Sequence, residues 1–216
     1  MNLLSNDIIY LILEINFVLN NNMIYCLIII LLIIFIFPNE IIKESIKLYR
    51  MKYGIDKNTC YKIMSEIDDI MKKNNVNYYF SEGTALGLFR NGDLIDWDDD
   101  IDMALDQINF GLFQKKCLPI LLKNGYMYTE SYCVNLDSNL ISLTKNFHCV
   151  DIERVIPGRK CISKMGRMCD ELIPHIQEIK RKKWRDRFFP VPVESYYEYL
   201  YGKDWKIPKN TKNQVN

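Results

Sequence analysis

Asp96, Asp98, Asp99, Asp100, Asp102 and Asp106 crowd one short stretch of the chain. A run of charge is ordinarily a solvated loop. Here, however, Ile101 and Met103 alternate with Asp100 and Asp102. Successive side chains of a β-strand point to opposite faces. A strand at this place would send Ile101 and Met103 into a core and leave both carboxylates on the other face. Two carboxylates held that close repel each other unless something neutralises them. A hard divalent cation with oxygen ligands does so, which points to Mg²⁺ or Mn²⁺ at a catalytic site. The competing EF-hand loop fails by position. Counted from Asp96, its obligatory glycine is Ile101, and its closing glutamate is Gln107.

A second feature precedes the acidic run. Gly83-Thr84 follows the β-prone stretch Tyr78-Tyr79-Phe80, and a Gly-Thr turn that opens a helix offers free backbone N–H groups and a hydroxyl to a phosphate. Gly87, one turn later, would let another element approach closely. No Gly-Lys-Ser/Thr occurs, so this is not a Walker loop. Taken alone the turn is simple punctuation. Followed by an Asp-x-Asp strand, it resembles the arrangement of a nucleotidyltransferase fold, in which the turn holds phosphates and the carboxylates hold Mg²⁺.

Other reactive side chains offer less. With His148 and His175 the only histidines, a three-His zinc site and an HExxH helix are both excluded. His148, Cys149, Cys161, Cys169 and His175 fit no zinc spacing and read as packed core residues. The run Lys180-Arg181-Lys182-Lys183-Trp184-Arg185-Asp186-Arg187 could attract an anionic membrane or acceptor, but a solvated helix face is the simpler reading. Tyr196, Tyr197 and Tyr199 either line a sugar site or pack the C-terminal segment.

These residues need elements to position them. Cys60, Ile63, Met64, Ile67, Ile70 and Met71 recur at helical spacing and predict an amphipathic helix over Thr59–Asn75. Val76–Phe80 reads as a strand, Ala85–Arg90 as a short helix stopped by Asn91-Gly92, and Ile101–Leu105 as the strand of the acidic run. Phe110–Lys123 reads as a helix kinked at Pro119. Tyr126–Thr129, Leu140–Thr144 and Phe147–Val155 are further strands, and the basic tail Asp170–Arg187 is expected to be helical. The order implies an α+β domain around a small mixed sheet.

Ahead of that domain, Met23–Phe37 forms fifteen apolar residues without a charge, closed by Pro38. A fully apolar helix has no face to show water. It is short for a ~30 Å hydrocarbon core, but an uncleaved membrane anchor is the preferred reading. A signal peptide is disfavoured, because no basic residue precedes the run and Ala occurs only at 85 and 104. Lys43, Lys47, Arg50 and Lys52 follow the span, which by the positive-inside rule puts the domain on the cytoplasmic side. The division expected is an anchor over 1–40, a linker helix over 41–58, a catalytic domain over 59–208 and a polar tail over 209–216. With 28 Lys+Arg against 27 Asp+Glu, the chain is not a broadly basic nucleic-acid binder, and no nucleic-acid partner is expected. Scattered cysteines, odd in number and without CxxC spacing, argue against a dense disulfide framework.

The motif residues carry a closer resemblance. Ser81-Glu82-Gly83-Thr84-Ala85-Leu86-Gly87-Leu88-Phe89-Arg90, then Leu94-Ile95-Asp96-Trp97-Asp98-Asp99-Asp100-Ile101-Asp102, resembles the signature of the LicD/fukutin family. Val150-Asp151-Ile152 is similar to that family's hydrophobic-Asp-Ile strand. Phe189-Pro190-Val191-Pro192 with Tyr199-Leu200-Tyr201-Gly202-Lys203-Asp204-Trp205 and Pro208 resembles its closing motif. Asp96 departs from the usual proline, which loosens the turn before Trp97, and Glu153 stands where an aromatic is common.

The resemblance implies a polymerase-β-like nucleotidyltransferase fold. It implies transfer of a substituted phosphate, such as phosphocholine or ribitol phosphate, from a CDP-linked donor to a glycan hydroxyl. In that reading Asp100 and Asp102, helped by Asp98, hold Mg²⁺ or Mn²⁺. Asp151 completes the ligand set or takes the acceptor proton, while Gly83 and Thr84 hold donor phosphate and Arg90 acts as a second clamp. The fukutin branch works in the Golgi lumen, against the charge rule. A catalytically silent, membrane-tethered glycan- or enzyme-binding relative, and a true nucleotidyltransferase that releases pyrophosphate, stay open.

Overall fold

The computed structural model describes residues 55–128, 139–156 and 170–208. The expected anchor, most of the linker helix and the polar tail lie outside these residues, as do Cys161 and Cys169. Among the described residues, no helix is long and apolar enough to cross a membrane.

Helix α1 (Lys57–Lys73) starts where Asp56 accepts the N–H groups of Asn58 and Thr59. This fills two of the donors that every helix start leaves open. Cys60, Ile63, Met64, Ile67 and Met71 line its buried face, as their spacing predicts. Strand β1 (Tyr79–Phe80) follows and is shorter than the β-prone stretch. Helix α2 (Glu82–Arg90) starts three residues earlier than expected, so Gly83 and Thr84 lie in its first turn. Asn91 caps it, as the Asn91-Gly92 stop implies.

Strand β2 (Asp100–Leu105) carries the acidic run. The expected kinked helix consists of α3 (Gln107–Leu112), a π-helical turn (Phe113–Cys117) and α4 (Leu118–Lys123). The irregular turn precedes Pro119 because proline lacks the N–H of a regular turn and its ring crowds the carbonyl four residues back. Strands β3 (Met127–Tyr128), β4 (Leu140–Lys145) and β5 (His148–Arg154) then complete a sheet of order β1-β2-β5-β4-β3. The β2–β5 pair is parallel and the other neighbours are antiparallel, so the sheet is mixed and the domain α+β.

The basic tail is a correction. In place of a helix, a 3₁₀ turn (Asp170–His175) leads into a hairpin of β6 (Ile179–Trp184) and β7 (Arg187–Pro192). Strand alternation explains it. Trp184, Phe189 and Val191 are buried, while Arg181, Lys183 and Phe188 are exposed. Pro190 and Pro192 stand two apart, so their missing N–H groups lie on one side of the strand, where a hairpin edge tolerates them. Helix α5 (Glu194–Tyr201) ends the described fold, with Tyr196 and Tyr197 fully buried. Tyr199 stacks on His175 at 5.1 Å and bonds Glu171, so this cluster of tyrosines mainly packs the C-terminal segment.

The sheet has two faces of opposite character. Ile101, Met103, Ile141, Leu143, Val150 and Ile152 are buried in the hydrophobic core on one side. Asp100, Asp102, Asp151 and Glu153 share the other.

Candidate active site

Register brings the carboxylates together. Asp102 and Asp151 are direct partners in the parallel β2–β5 pair, and Asp100 is two residues before Asp102 on the same face. One oxygen from each of Asp100, Asp102 and Asp151 lies within 4.8 Å of the others. Asp98, Asp99 and Asp100 form a second such group, which shares Asp100 with the first.

The structure sorts the other aspartates of the run by partner. Asp96 is ion-paired with Lys57 at 2.6 Å, away from the cluster. Asp106 caps α3, accepting the Asn109 N–H at 2.8 Å. Asp99 is exposed.

Asp98, Asp100, Asp102, Asp151 and Glu153 line a cleft of about 600 Å³. Glu82, Gly83 and Arg90 of α2 also line it, with Trp97, Tyr201 and Trp205. Gly83 is where Asp98 comes closest to α2: a Cβ there would stand 2.9 Å from the Asp98 carboxylate carbon. Any side chain at this position would push the carboxylate away.

Thr84 occupies a different place from the one its motif suggests. It is buried and does not line the cleft. Its hydroxyl accepts the Asp102 N–H at 3.0 Å, and Ser81 N–H donates to the Asp102 carbonyl at 3.0 Å. The first turn of α2 thus holds the peptide groups on both sides of the Asp102 α-carbon. The part of that turn that lines the cleft is Ser81-Glu82-Gly83. Glu82 takes a left-handed backbone (φ 42°), and its N–H donates to the buried Tyr196 hydroxyl at 3.0 Å.

Arg90 extends from the far end of α2. Its Nε bonds Asn91 at 2.9 Å and one terminal nitrogen reaches the Trp205 carbonyl at 3.3 Å. The other, Nη2, is buried without a hydrogen-bond partner. A buried cationic donor left unmade is costly, and on a cleft wall it is a ready contact for an anionic group.

Electrostatics favour a cation in the cluster. Burial first, then the neighbouring charges of Asp100, Glu82, Asp98 and Asp151, hold the Asp102 carboxyl well above the usual carboxylate range. Burial and the charges of Glu82, Asp102 and Asp98 also push the Tyr201 hydroxyl upward. An all-oxygen donor set with excess negative charge suits a hard divalent ion such as Mg²⁺ or Mn²⁺. The donors present fit that group.

The histidines have ordinary roles. His148 Nε2 accepts the Asp56 N–H at 3.1 Å, and its Nδ1 lies 2.7 Å from the Asn146 carbonyl. Of the cleft residues, Tyr201, Trp205 and Asp204 belong to the C-terminal motif recognised in the sequence. Glu82 was legible only as a neighbour of Gly83. Its place in the cleft follows from the left-handed turn.

Comparison with known proteins gives several partial likenesses. An uncharacterized protein of Rickettsia prowazekii (strain Madrid E) is 27% identical over 114 residues, which covers 40% of this chain and 42% of the relative. An uncharacterized protein of Rickettsia typhi is 30% identical over 95 residues, covering 43% of this chain and 27% of the relative. The chain therefore matches less than half the length of these curated relatives. Among solved structures, ANT(2")-Ia in complex with adenylyl-2"-tobramycin is similar at 17% identity and TM-score 0.49, covering 72% of this chain and 84% of that one. A Thermotoga maritima protein described as a nucleotidyltransferase is similar at 17% identity and TM-score 0.46, covering 68% and 85%. The LicD/FKTN/FKRP nucleotidyltransferase-domain model matches residues 75–153, the segment that runs from β1 through the acidic strand to Glu153. Over these residues the chain is similar to the nucleotidyltransferase domain of the LicD/fukutin family, in agreement with the motif residues of the sequence.

Proposed function

We propose that this protein transfers a substituted phosphate, such as phosphocholine or an alditol phosphate, from a CDP-linked donor to a glycan hydroxyl. One observation carries the reading: Asp100, Asp102 and Asp151 present oxygens within 4.8 Å of one another on the wall of an open cleft. Asp100 and Asp102, with Asp98, are the residues that would hold Mg²⁺ or Mn²⁺. When bound, the cation supplies neutralisation of pyrophosphate charge as the nucleotide leaves.

The chain's own groups do the rest. Gly83, whose missing side chain lets Asp98 pack against α2, would hold donor phosphate with its main chain where it lines the cleft, and Arg90 Nη2 adds a charged donor. Thr84 acts from behind by holding Asp102 in place. Asp151 has two oxygens. One completes the cluster and the other takes the proton of the attacking hydroxyl, with Glu153 next to it on the same face.

Incubation with CDP-choline, CDP-ribitol and CTP, followed by assays for CMP and pyrophosphate, tests this reading. Acceptor-dependent, Mg²⁺-dependent release of CMP from one CDP-linked donor is the expected result. Release of pyrophosphate from CTP would instead make it a true nucleotidyltransferase, and silence with all three would make it a binding relative. Full turnover in EDTA would remove the metal from the mechanism. Met23–Phe37 is proposed to anchor the protein in a membrane with the domain on the cytoplasmic side. Protease protection of a C-terminal tag in sealed microsomes would reverse that orientation.

A further inference from the structure

Asp98 reaches the cleft from a loop between α2 and β2, not from a regular element. A carboxylate carried by a loop holds an ion only as well as the loop is held. Within the loop, Leu94 and Ile95 are buried in the core and the Asp98 N–H donates to the Ile95 carbonyl at 3.2 Å; two further contacts join the loop to its neighbours. The first is steric: a Cβ at Gly87 would fall 2.6 Å from the Asp93 carbonyl oxygen and 2.9 Å from the Ile95 nitrogen, so the loop backbone lies directly on α2. Contact of this kind limits approach but leaves the loop free to slide.

The second anchor is polar, and it centres on Asp93. Its Oδ1 accepts the Leu94 N–H at 2.8 Å and the Trp184 indole N–H at 2.8 Å. Its Oδ2 accepts Lys57 Nζ at 2.8 Å, and the same ammonium pairs with Asp96 at 2.6 Å. Trp184 is 3% exposed, so its indole would be a buried donor without a partner if Asp93 were absent. One carboxylate therefore ties the loop to two elements far away in sequence, α1 through Lys57 and β6 through Trp184. Five residues further on, Asp98 rests against Gly83.

We propose that Asp93 is a positioning residue for the acidic cluster: by joining Lys57 and Trp184 it fixes the loop that sets Asp98 beside Gly83. Asp93 does not line the cleft, so its effect passes through Asp98. Asp96 takes part as the outer arm of the same ammonium clip. The Lys57–Asp96 bond also restrains the turn before Trp97, where the departure from proline implied looseness. The inference rests on the cation site of the proposed function.

The test is Mn²⁺ binding to the full chain in detergent, by titration calorimetry or electron paramagnetic resonance, alongside thermal unfolding. Asp93→Ala is expected to weaken Mn²⁺ binding about tenfold or more, the scale on which outer support of metal ligands acts. Asp93→Asn keeps an oxygen for both N–H donors but loses the ion pair, so a smaller loss is expected. Trp184→Phe keeps an aromatic ring and removes only the indole donor, and it should also weaken binding. The control is Asp106→Ala, which removes the α3 cap and its two bonds to Asn109 outside the cleft. It should lower stability and leave Mn²⁺ affinity unchanged.

Wild-type affinity in a folded Asp93→Ala protein would overturn the proposal. So would an equal loss in Asp106→Ala, which would make the effect a general one of stability. If Asp93→Ala does not fold, unchanged affinity in both Asp93→Asn and Trp184→Phe overturns it just as well. A wild-type protein that binds no Mn²⁺ would overturn the cation site itself, and the inference with it.

Discussion

The hydroxyl of Thr84 accepts the main-chain N–H of Asp102 at 3.0 Å. This bond couples the first turn of α2, which lines the cleft, to the strand that carries the acidic cluster. With the Ser81 N–H on the Asp102 carbonyl, it makes α2 and β2 one rigid unit at the point where the carboxylates converge. The threonine of the Gly-Thr turn thus supports the acidic strand, and the cleft side of the turn is left to Gly83.

Replacing that hydroxyl should be costly in a specific way. Thr84→Val keeps the shape but leaves the Asp102 N–H without its acceptor, a loss of about 1–3 kcal/mol. Thr84→Ser should recover most of it. Chemical denaturation of the two variants checks this, and equal stability of Thr84→Val and wild type would show that the bond contributes nothing.

Gly83→Ala separates folding from function. Position 83 lies inside α2 and has no left-handed backbone, so alanine should gain up to about 1 kcal/mol of helix stability. Its Cβ nevertheless displaces Asp98. The expected outcome is unchanged or raised Tm with weakened Mn²⁺ binding and reduced turnover. Unaltered Mn²⁺ affinity would remove Asp98 from the ligand set.

The raised pKa of Asp102 gives stability a pH slope. The folded state retains a proton that the unfolded state releases near the ordinary value of 3.8. In metal-free protein this contribution is therefore full below that value and is lost as pH rises through the folded pKa. Mg²⁺ binds the ionised form and should reverse the loss. Its effect on Tm is expected to be larger at about pH 7.5 than at about pH 5, and to vanish in Asp102→Asn. Equal gains at both pH values would break the link between Asp102 ionisation and the metal.

Asp151 and Glu153 compete as the base. Both line the cleft from one face of β5, but only Asp151 joins the oxygen cluster. Asp151→Asn should cut turnover by roughly a hundredfold or more while donor affinity stays within a few-fold. Glu153→Gln should have a much smaller effect. The reverse ranking, measured with saturating Mg²⁺, would move proton transfer to Glu153.

Much of this molecule can be read directly from residue order. The helical spacing from Cys60 to Met71 specifies the buried face of α1 because side chains three and four apart share one side of a helix. The alternation Asp100-Ile101-Asp102-Met103 specifies which face of β2 is acidic, since a strand has only two. Both properties are local. Charge run and helix propensity misled in the stretch from Lys180 to Arg187, because pairing with Phe188–Val191 and burial of Trp184 outweigh weak local preference.

Three matters were decided only by the tertiary structure. Asp151 meets Asp102 because two strands far apart in sequence pair in a parallel register, and a shift by one residue would have turned it to the core. Thr84 turns inward, where its hydroxyl supplies the acceptor for the Asp102 N–H. Asp96, Asp98 and Asp106 are equivalent letters in one acidic run, and Asp93 stands just ahead of it. They part company because Lys57, Trp184, Gly83 and Asn109 arrive from different elements, and a carboxylate's role is set by the donors and space around it. Residue types and their spacing determined that carboxylates would face a cleft. Packing determined which of them do.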